Sequence, residues 1–200
     1  MLALTSTTHD LIDTAIKNYK SIESYQVTLR ASNNTATDEI KYYFKKPGFV
    51  KMEFLNPHKG AVLIYNPFKT EVKLMPFGFL RFFVLTLSPE NRLIKSSTGH
   101  GVDESDIGAL LKMVKRLQSH GNTMKLKDET VGKRQTVLIR VEGKGDFNVD
   151  DIHMYLLWLD KKTLMPLKVS AYNTQGKLIE ELLMDDLQIN IEFPENFFNL

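Results

Sequence analysis

Histidine is the side chain best suited to acid–base or metal chemistry near neutral pH, and the chain has five scattered histidines, at positions 9, 58, 100, 120 and 153. No two of them have the spacing of zinc ligands. His100 is the best catalytic or metal-binding candidate, because Gly99 and Gly101 flank it and would let a substrate approach the backbone. The alternative is a loop role, in which His100 hydrogen-bonds Asp103 at the start of a helix. We expect the loop role, with no metal and no cofactor.

The common catalytic motifs are absent from the sequence. It contains no Gly-x-Ser-x-Gly, no His-Glu-x-x-His and no Walker-type loop. Residues 143–146 read Gly-Lys-Gly-Asp, but no helix follows them, so they do not predict a phosphate-binding loop. The adjacent acids at 150–151, 180–181 and 185–186 would point to opposite faces of a strand rather than share one site. We therefore expect a protein that is not an enzyme.

Composition narrows the class of partner. The 200 residues carry 26 basic and 24 acidic side chains, and this balance argues against nucleic acid as the main partner. There is no cysteine, which excludes disulfides and thiolate metal sites. No stretch of the sequence is apolar enough to span a bilayer. The length suits one domain over residues 1–200.

Periodicity predicts two helices and about ten strands. Apolar residues recur at helical spacing over 8–21 and 103–121. Alternating apolar residues bounded by turn residues predict an antiparallel, α+β protein. The predicted strands cover residues 25–32, 39–45, 49–55, 61–65, 70–75, 123–130, 135–142, 152–160, 165–172, 177–185 and a closing stretch around 187–191.

The strands predict two apolar walls. One would be lined by Ile40, Tyr42, Phe44, Val50, Met52, Phe54, Val62, Ile64, Val72 and Leu74, and the other by Val137, Ile139, Met154, Leu156, Trp158, Leu167, Val169, Leu182 and Met184. Two helices are too few to cover so wide a sheet. An uncovered apolar sheet face invites an apolar ligand. Trp158 could instead stack a ring-shaped ligand with Tyr155 and Phe147, although aromatic core packing is the usual use of such residues. The predicted ligand-binding residues are Tyr42, Phe44, Val50, Met52, Phe54, Ile64, Leu74, Ile139, Met154, Leu156, Trp158, Val169 and Leu182.

The most apolar stretch, residues 74–87, is too short to cross a bilayer and is interrupted by Pro76, Gly78 and Arg81. One interpretation is a buried crossover or short helix. The other is a movable lid over the apolar cavity, hinged at Gly78, or an edge that touches a membrane peripherally. The lid residues would be Phe77, Phe79, Leu80, Phe82 and Phe83.

Four short motifs are scattered over most of the chain. They are the strand-turn Phe44-Lys45-Lys46-Pro47-Gly48-Phe49, the turn Tyr65-Asn66-Pro67-Phe68, the pattern Leu159-Asp160-x-x-Thr163-x-x-Pro166-Leu167, and Pro194-x-x-Phe197. Together they resemble the lipoprotein carriers of the LolA/LolB type.

The resemblance implies an incomplete antiparallel β-barrel (a half-barrel) whose helices cover an apolar cavity. It implies a periplasmic or cell-envelope protein, with its leader peptide or lipid anchor removed, that holds acyl chains of lipids or lipoproteins. Lys46 occupies the place of the carriers' lid-latching arginine, and lysine lacks arginine's planar fork. A sensor or assembly module of the same fold that binds an envelope or membrane protein is the alternative.

Overall fold

A computed structural model of the protein describes residues 5–32, 37–76, 83–95 and 101–199, with side chains from Leu11 onward. Two α-helices lie at Thr5–Lys20 (α1) and Ile107–Ser119 (α2), and short 3-10 turns lie at Arg92–Ile94 and Val102–Glu104. The strands are β1 (Ser24–Ser32), β2 (Thr37–Lys45), β3 (Phe49–Asn56), β4 (Val62–Asn66), β5 (Glu71–Met75), β6 (Leu85–Leu87), β7 (Gly121–Val131), β8 (Arg134–Gly143), β9 (Met154–Asp160), β10 (Pro166–Tyr172) and β11 (Leu178–Ile189).

In the described ranges, the eleven strands form one sheet in the order β6-β5-β4-β3-β2-β1-β11-β10-β9-β8-β7. The sheet is antiparallel and open, because β6 and β7 lie at its two ends and do not pair with each other. The predicted α+β class, with an incomplete antiparallel barrel, is confirmed. The apolar segment 74–87 contributes the short strand β6, which was not predicted and pairs with β5, whereas the predicted segments 177–185 and 187–191 belong to one strand, β11.

The chain divides into two compact units. The first, here called the helical unit, comprises Met1–Ser21, Ser32–Thr35 and Ile107–Met184 and contains both helices. The second, here called the strand unit, comprises Ile22–Ala31, Ala36–Asp106 and Asp185–Leu200. The single domain expected from the length stays a prediction.

In the helical unit, α1 packs on α2, and both helices lie against β7 while α2 also contacts β8. Each helix turns one apolar stripe inward, so that Ile12, Leu111 and Val114 are almost completely buried. The second helix begins four residues later than predicted, because Asp103 lies in a 3-10 turn rather than at the α-helix start. The helices and the strands beneath them form the core of this unit.

The turn after β9 is built by one buried carboxylate. Asp160 Oδ1 accepts hydrogen bonds from the backbone N–H groups of Lys162 and Thr163, both at 2.8 Å, and from Thr163 Oγ1 at 3.1 Å. These bonds satisfy the turn's backbone donors and allow β10 to return alongside β9. The Leu-Asp-x-x-Thr-x-x-Pro-Leu motif therefore has a structural role.

Candidate apolar binding face

The register of β2–β6 defines one apolar face of the strand unit, here called the Tyr42 face. Directly opposite residues of antiparallel strands share a face, so each row of paired residues can be followed across the sheet. One row contains Phe44, Val50, Tyr65, Val72 and Leu87; the next contains Tyr42, Met52, Leu63, Leu74 and Leu85; the third contains Ile40 and Phe54.

Part of the Tyr42 face is filled by the unit's own chain. The Tyr25 ring stacks on Phe44 at 5.0 Å and on Tyr42 at 5.9 Å between centroids. The Tyr42 hydroxyl lies 3.0 Å from Ser105 Oγ, which in turn donates to the Val102 carbonyl. Burial raises the pKa of Tyr42 far above its ordinary value, although the Ser105 hydrogen bond acts in the other direction. This end of the face is packed core.

The remainder of the Tyr42 face is only half-buried. Ile40, Met52, Phe54, Leu74 and Leu85 all retain partial exposure, whereas Tyr42 and Leu63 between them are buried. The five side chains lie on one face around Tyr42 and Leu63, and none of them carries a charge. We call them the half-buried cluster, and an apolar ligand is the only class of ligand that such a surface favours.

Ile64 does not belong to the Tyr42 face. The register places it opposite Lys51 and Lys73, on the other side of the sheet. The face predicted for Ile64, and for Val62 opposite Glu53 and Met75, was wrong because residues 62–65 are all apolar, so alternation could not show which positions point inward. Leu63 and Tyr65 take its place, and the sequence offered no local signal for them.

The second predicted wall is a packed core in the helical unit. Ile139, Leu157, Val169 and Leu182 form one row, and the first three are almost completely buried. On the same face, the Tyr155 hydroxyl is buried without a hydrogen-bond partner among the described residues, and burial raises the pKa of that hydroxyl above its ordinary value.

Met154, Leu156 and Trp158 lie on the opposite face, contrary to prediction. The prediction was wrong because β9 is apolar at both its odd-numbered and its even-numbered positions. Trp158 Nε1 donates to Glu129, and Lys168 Nζ lies 5.0 Å above the Trp158 ring. Phe147 stacks on His120 at 4.5 Å. The structure therefore does not bring Trp158, Tyr155 and Phe147 together as one ring-binding site.

Lys46, the predicted lid latch, lies in the β2–β3 turn. Its Nζ is 3.2 Å from Glu23 Oε1, and its backbone N–H donates to the Glu23 carbonyl at 2.9 Å. The latch role stays a prediction. The lid residues Phe77, Phe79, Leu80 and Phe82, with Gly78, lie outside the described residues, whereas Phe83 is described and is 49% exposed.

His100 also lies outside the described residues, so its hydrogen bond to Asp103 stays a prediction. His153 Nδ1 lies 2.8 Å from the Phe147 carbonyl, and His153 thus supports the loop after β8. Across the described ranges, no group of three His, Asp or Glu residues could hold a metal ion. No helix in those ranges is both long and apolar enough to cross a membrane.

The opposite face of the strand unit is covered by aromatic side chains near the C-terminus. The Tyr43 ring meets Phe197 edge to face at 5.0 Å, and Lys51 Nζ lies 4.2 Å above the Phe197 ring. Phe49 contacts Phe198 at 5.7 Å. The Pro194-x-x-Phe197 motif is thereby explained as packing, and the half-buried cluster on the Tyr42 face is left as the candidate site.

The open antiparallel sheet and its two helices define an α+β fold with an incomplete barrel, the class that the motifs indicated. Residues 15–200 match the family described as "Protein of unknown function (DUF1571)", and the chain belongs to that family. Comparison with curated protein sequences gave no match.

Three solved structures illustrate the likeness of fold. A complex of MucA and MucB from Pseudomonas aeruginosa is similar at a TM-score of 0.61 and 16% identity; the alignment covers 97% of this chain and 61% of that one. The lipoprotein LppX of Mycobacterium tuberculosis is similar at 0.60 and 11% identity, with coverage of 94% and 98%. An uncharacterized conserved protein from Thermus thermophilus is similar at 0.58 and 12% identity, with coverage of 97% and 93%.

Proposed function

We propose that this protein is a non-catalytic component of the bacterial cell envelope that binds an acyl chain of a lipid or lipoprotein on the Tyr42 face of the strand unit. The observation that carries the proposal is the half-buried cluster of Ile40, Met52, Phe54, Leu74 and Leu85, which is apolar throughout and only partly covered. The likeness in fold to the lipoprotein LppX supports it.

The energetics suit an acyl ligand that needs no polar anchor. Burying apolar surface contributes about 0.8 kcal/mol per methylene, so a chain of roughly 14–16 carbons would gain about 11–13 kcal/mol before ordering costs if fully buried. A cluster of five side chains covers only part of such a chain. Burying about ten methylenes would contribute roughly 8 kcal/mol before ordering costs, which is the free energy of a micromolar complex.

Adjacent residues on β5 offer a matched test. Leu74 lies on the Tyr42 face and Met75 on the opposite face, and both are half-buried and apolar. We expect Leu74→Asn to weaken binding of a fluorescent fatty acid roughly tenfold or more. The bound acyl chain would displace water from the asparagine amide and could not replace the hydrogen bonds that the amide makes with water. Met75→Asn is expected to leave binding unchanged. Fluorescence titration of both variants, after checking that each melts near the wild-type temperature, measures the difference.

Equal affinities in the two variants would contradict the proposed site, and absence of fatty-acid binding to the wild type would contradict the function. In the second case the alternative gains support: a module of the same fold that binds another envelope protein, as the structurally similar MucB is found in a complex with MucA.

A further inference from the structure

Two apolar side chains stand out of the strand unit at the same end of its sheet. Phe68 is 76% exposed and Leu93 is 74% exposed, more than any other large apolar side chain in the described ranges. Phe68 lies in the β4–β5 turn. Val72 pairs with Leu87, so β6 ends beside the start of β5, and the chain that carries Leu93 leaves from the end where Phe68 lies.

Both side chains are held outward by the same local device. Asn66 Oδ1 accepts a hydrogen bond from the Phe68 backbone N–H at 3.0 Å, and Asn91 Oδ1 accepts one from the Leu93 backbone N–H, also at 3.0 Å. The Phe68 ring also contacts Phe49 at 5.5 Å. Each apolar group is thus presented by an ordered turn, which lowers the entropy lost when it binds.

Exposed basic residues flank these two groups in the sequence, because Lys69 follows Phe68 and Arg92 precedes Leu93. The β2–β3 turn (45–48) lies beside the β4–β5 turn (66–70), because the Cβ of a side chain at Gly48 would be 3.4 Å from Pro67 Cβ. With the segment 88–95, these turns form what we call the turn end. In the part of the chain that the structure describes, its four unpaired basic residues are Lys45, Lys69, Arg92 and Lys95.

The acidic residues at the turn end are fewer. Glu23 is paired with Lys46, which leaves Glu71, Glu90 and Asp103, the last beside Gly101 and Pro89, against the four unpaired basic residues. An exposed aromatic and an exposed aliphatic side chain, each next to an exposed basic residue, match the surface of an anionic bilayer. The anionic headgroups of the bilayer would attract the basic side chains, and the boundary between headgroups and acyl chains would accept Phe68 and Leu93.

We propose that the turn end is a docking surface for anionic lipid bilayers, with Phe68 and Leu93 entering the interface and the four basic side chains lying on lipid phosphates. This surface differs from the half-buried cluster, and docking does not require that an acyl chain be bound there. It would bring the protein to a membrane while the Tyr42 face remains free for a ligand.

Vesicle sedimentation tests the proposal. We expect the wild type to bind vesicles of equal parts phosphatidylcholine and phosphatidylglycerol, and to bind phosphatidylcholine alone much more weakly. Phe68→Ala and Leu93→Ala are each expected to lower the partition coefficient roughly tenfold, as for loss of one buried apolar side chain. Lys69→Gln is expected to lower it about fivefold, and added salt should reduce the effect of that charge.

Controls come from the helical unit. Met124 is apolar and 59% exposed, and Lys133 is exposed in the β7–β8 turn, so Met124→Ala and Lys133→Gln should leave vesicle binding unchanged. Absence of binding to anionic vesicles, or equal losses in these controls, would overturn the proposal.

The oligomeric state gives a second test. If sedimentation velocity shows a dimer that Phe68→Ala dissociates, the surface joins two copies of the chain and the proposal is overturned. Fatty-acid binding without vesicles, measured on Phe68→Ala, separates failure of docking from failure of the acyl site.

Discussion

At the scale of single residues, buried or half-buried tyrosines link stability to alkaline pH. Burial, and then the charge of Glu53, raises the pKa of Tyr43 from 10.0 to about 12; its hydroxyl donates to Glu53 Oε2 at 3.2 Å. The pKa of Tyr42, buried beneath Tyr25 and Ser105, is raised further, chiefly by desolvation. Both phenols therefore hold their protons more tightly in the folded chain than in the unfolded one.

A raised pKa in the folded state means that the stabilisation is fully present below the unfolded pKa of 10.0 and is lost as pH rises towards about 12. We expect the free energy of unfolding to fall over this window, because the unfolded chain loses a proton that the folded chain keeps. Tyr43→Phe should make the fall shallower. Urea unfolding of both proteins, from neutral pH to just above the ordinary tyrosine pKa, measures the slopes; identical slopes would contradict the assignment to Tyr43.

At the scale of elements, the turns determine which strands can pair. Asp160, buried at the end of β9, binds three donors within three residues of itself, and Pro166 opens the returning strand. Further on, Gly143 ends β8 where a Cβ would lie 2.1 Å from the Phe147 carbonyl oxygen, so only glycine fits without movement of the backbone. In both places, a single residue type at the end of a strand allows the chain to turn.

Removing the Asp160 carboxylate tests the importance of its turn. We expect Asp160→Ala to lower the free energy of unfolding by about 2 kcal/mol, because two backbone donors lose their acceptor. Lys162→Ala, whose backbone N–H still donates to Asp160, is the control and should change stability by less than about 0.5 kcal/mol. The chain has a single tryptophan, Trp158, on the same strand, so its fluorescence reports unfolding of β9 directly. Equal effects of the two substitutions would refute a special role for the carboxylate.

At the scale of the whole molecule, protection should differ between the middle strands of each unit and the two end strands of the sheet. β9 is paired on both sides, and Leu157 and Leu159 on it are fully buried. Among the described strands, β7 and β6 have a strand partner on one side only, and β7 is largely exposed. Open edges of this kind also invite pairing with other chains, which the charges Lys125 and Lys127 on β7 oppose.

We expect amide hydrogen exchange to be slowest in β9 and its neighbours β8 and β10, and fastest in β6 and β7, because exchange follows local opening and opening is easiest where one side is unpaired. Mass spectrometry of peptides after exchange in deuterated buffer measures the order. Protection of β7 equal to that of β9 would indicate that its outer edge is covered by something that the described residues do not supply.

The sequence by itself determined the element types, the α+β class and the apolar character of the sheet faces. Alternation in β2 and β3 placed Tyr42, Phe44, Val50, Met52 and Phe54 on one face, and the register confirms that arrangement. A period of two is a local property, so it can be read wherever polar and apolar residues strictly alternate.

Only the tertiary structure decided which alternate residues of β4 and β9 lie on each face of the sheet. It also decided which apolar face is covered. Residues 62–65 and 154–159 are apolar at both parities, so Ile64 and Trp158 could be placed only by the strands opposite them. A shift of one residue in register moves every side chain to the other face. Likewise, Val169 is buried core while Leu74 stays half-exposed, because only part of the Tyr42 face is filled by its own unit. Such packing joins residues far apart in the chain and leaves no local trace in the sequence.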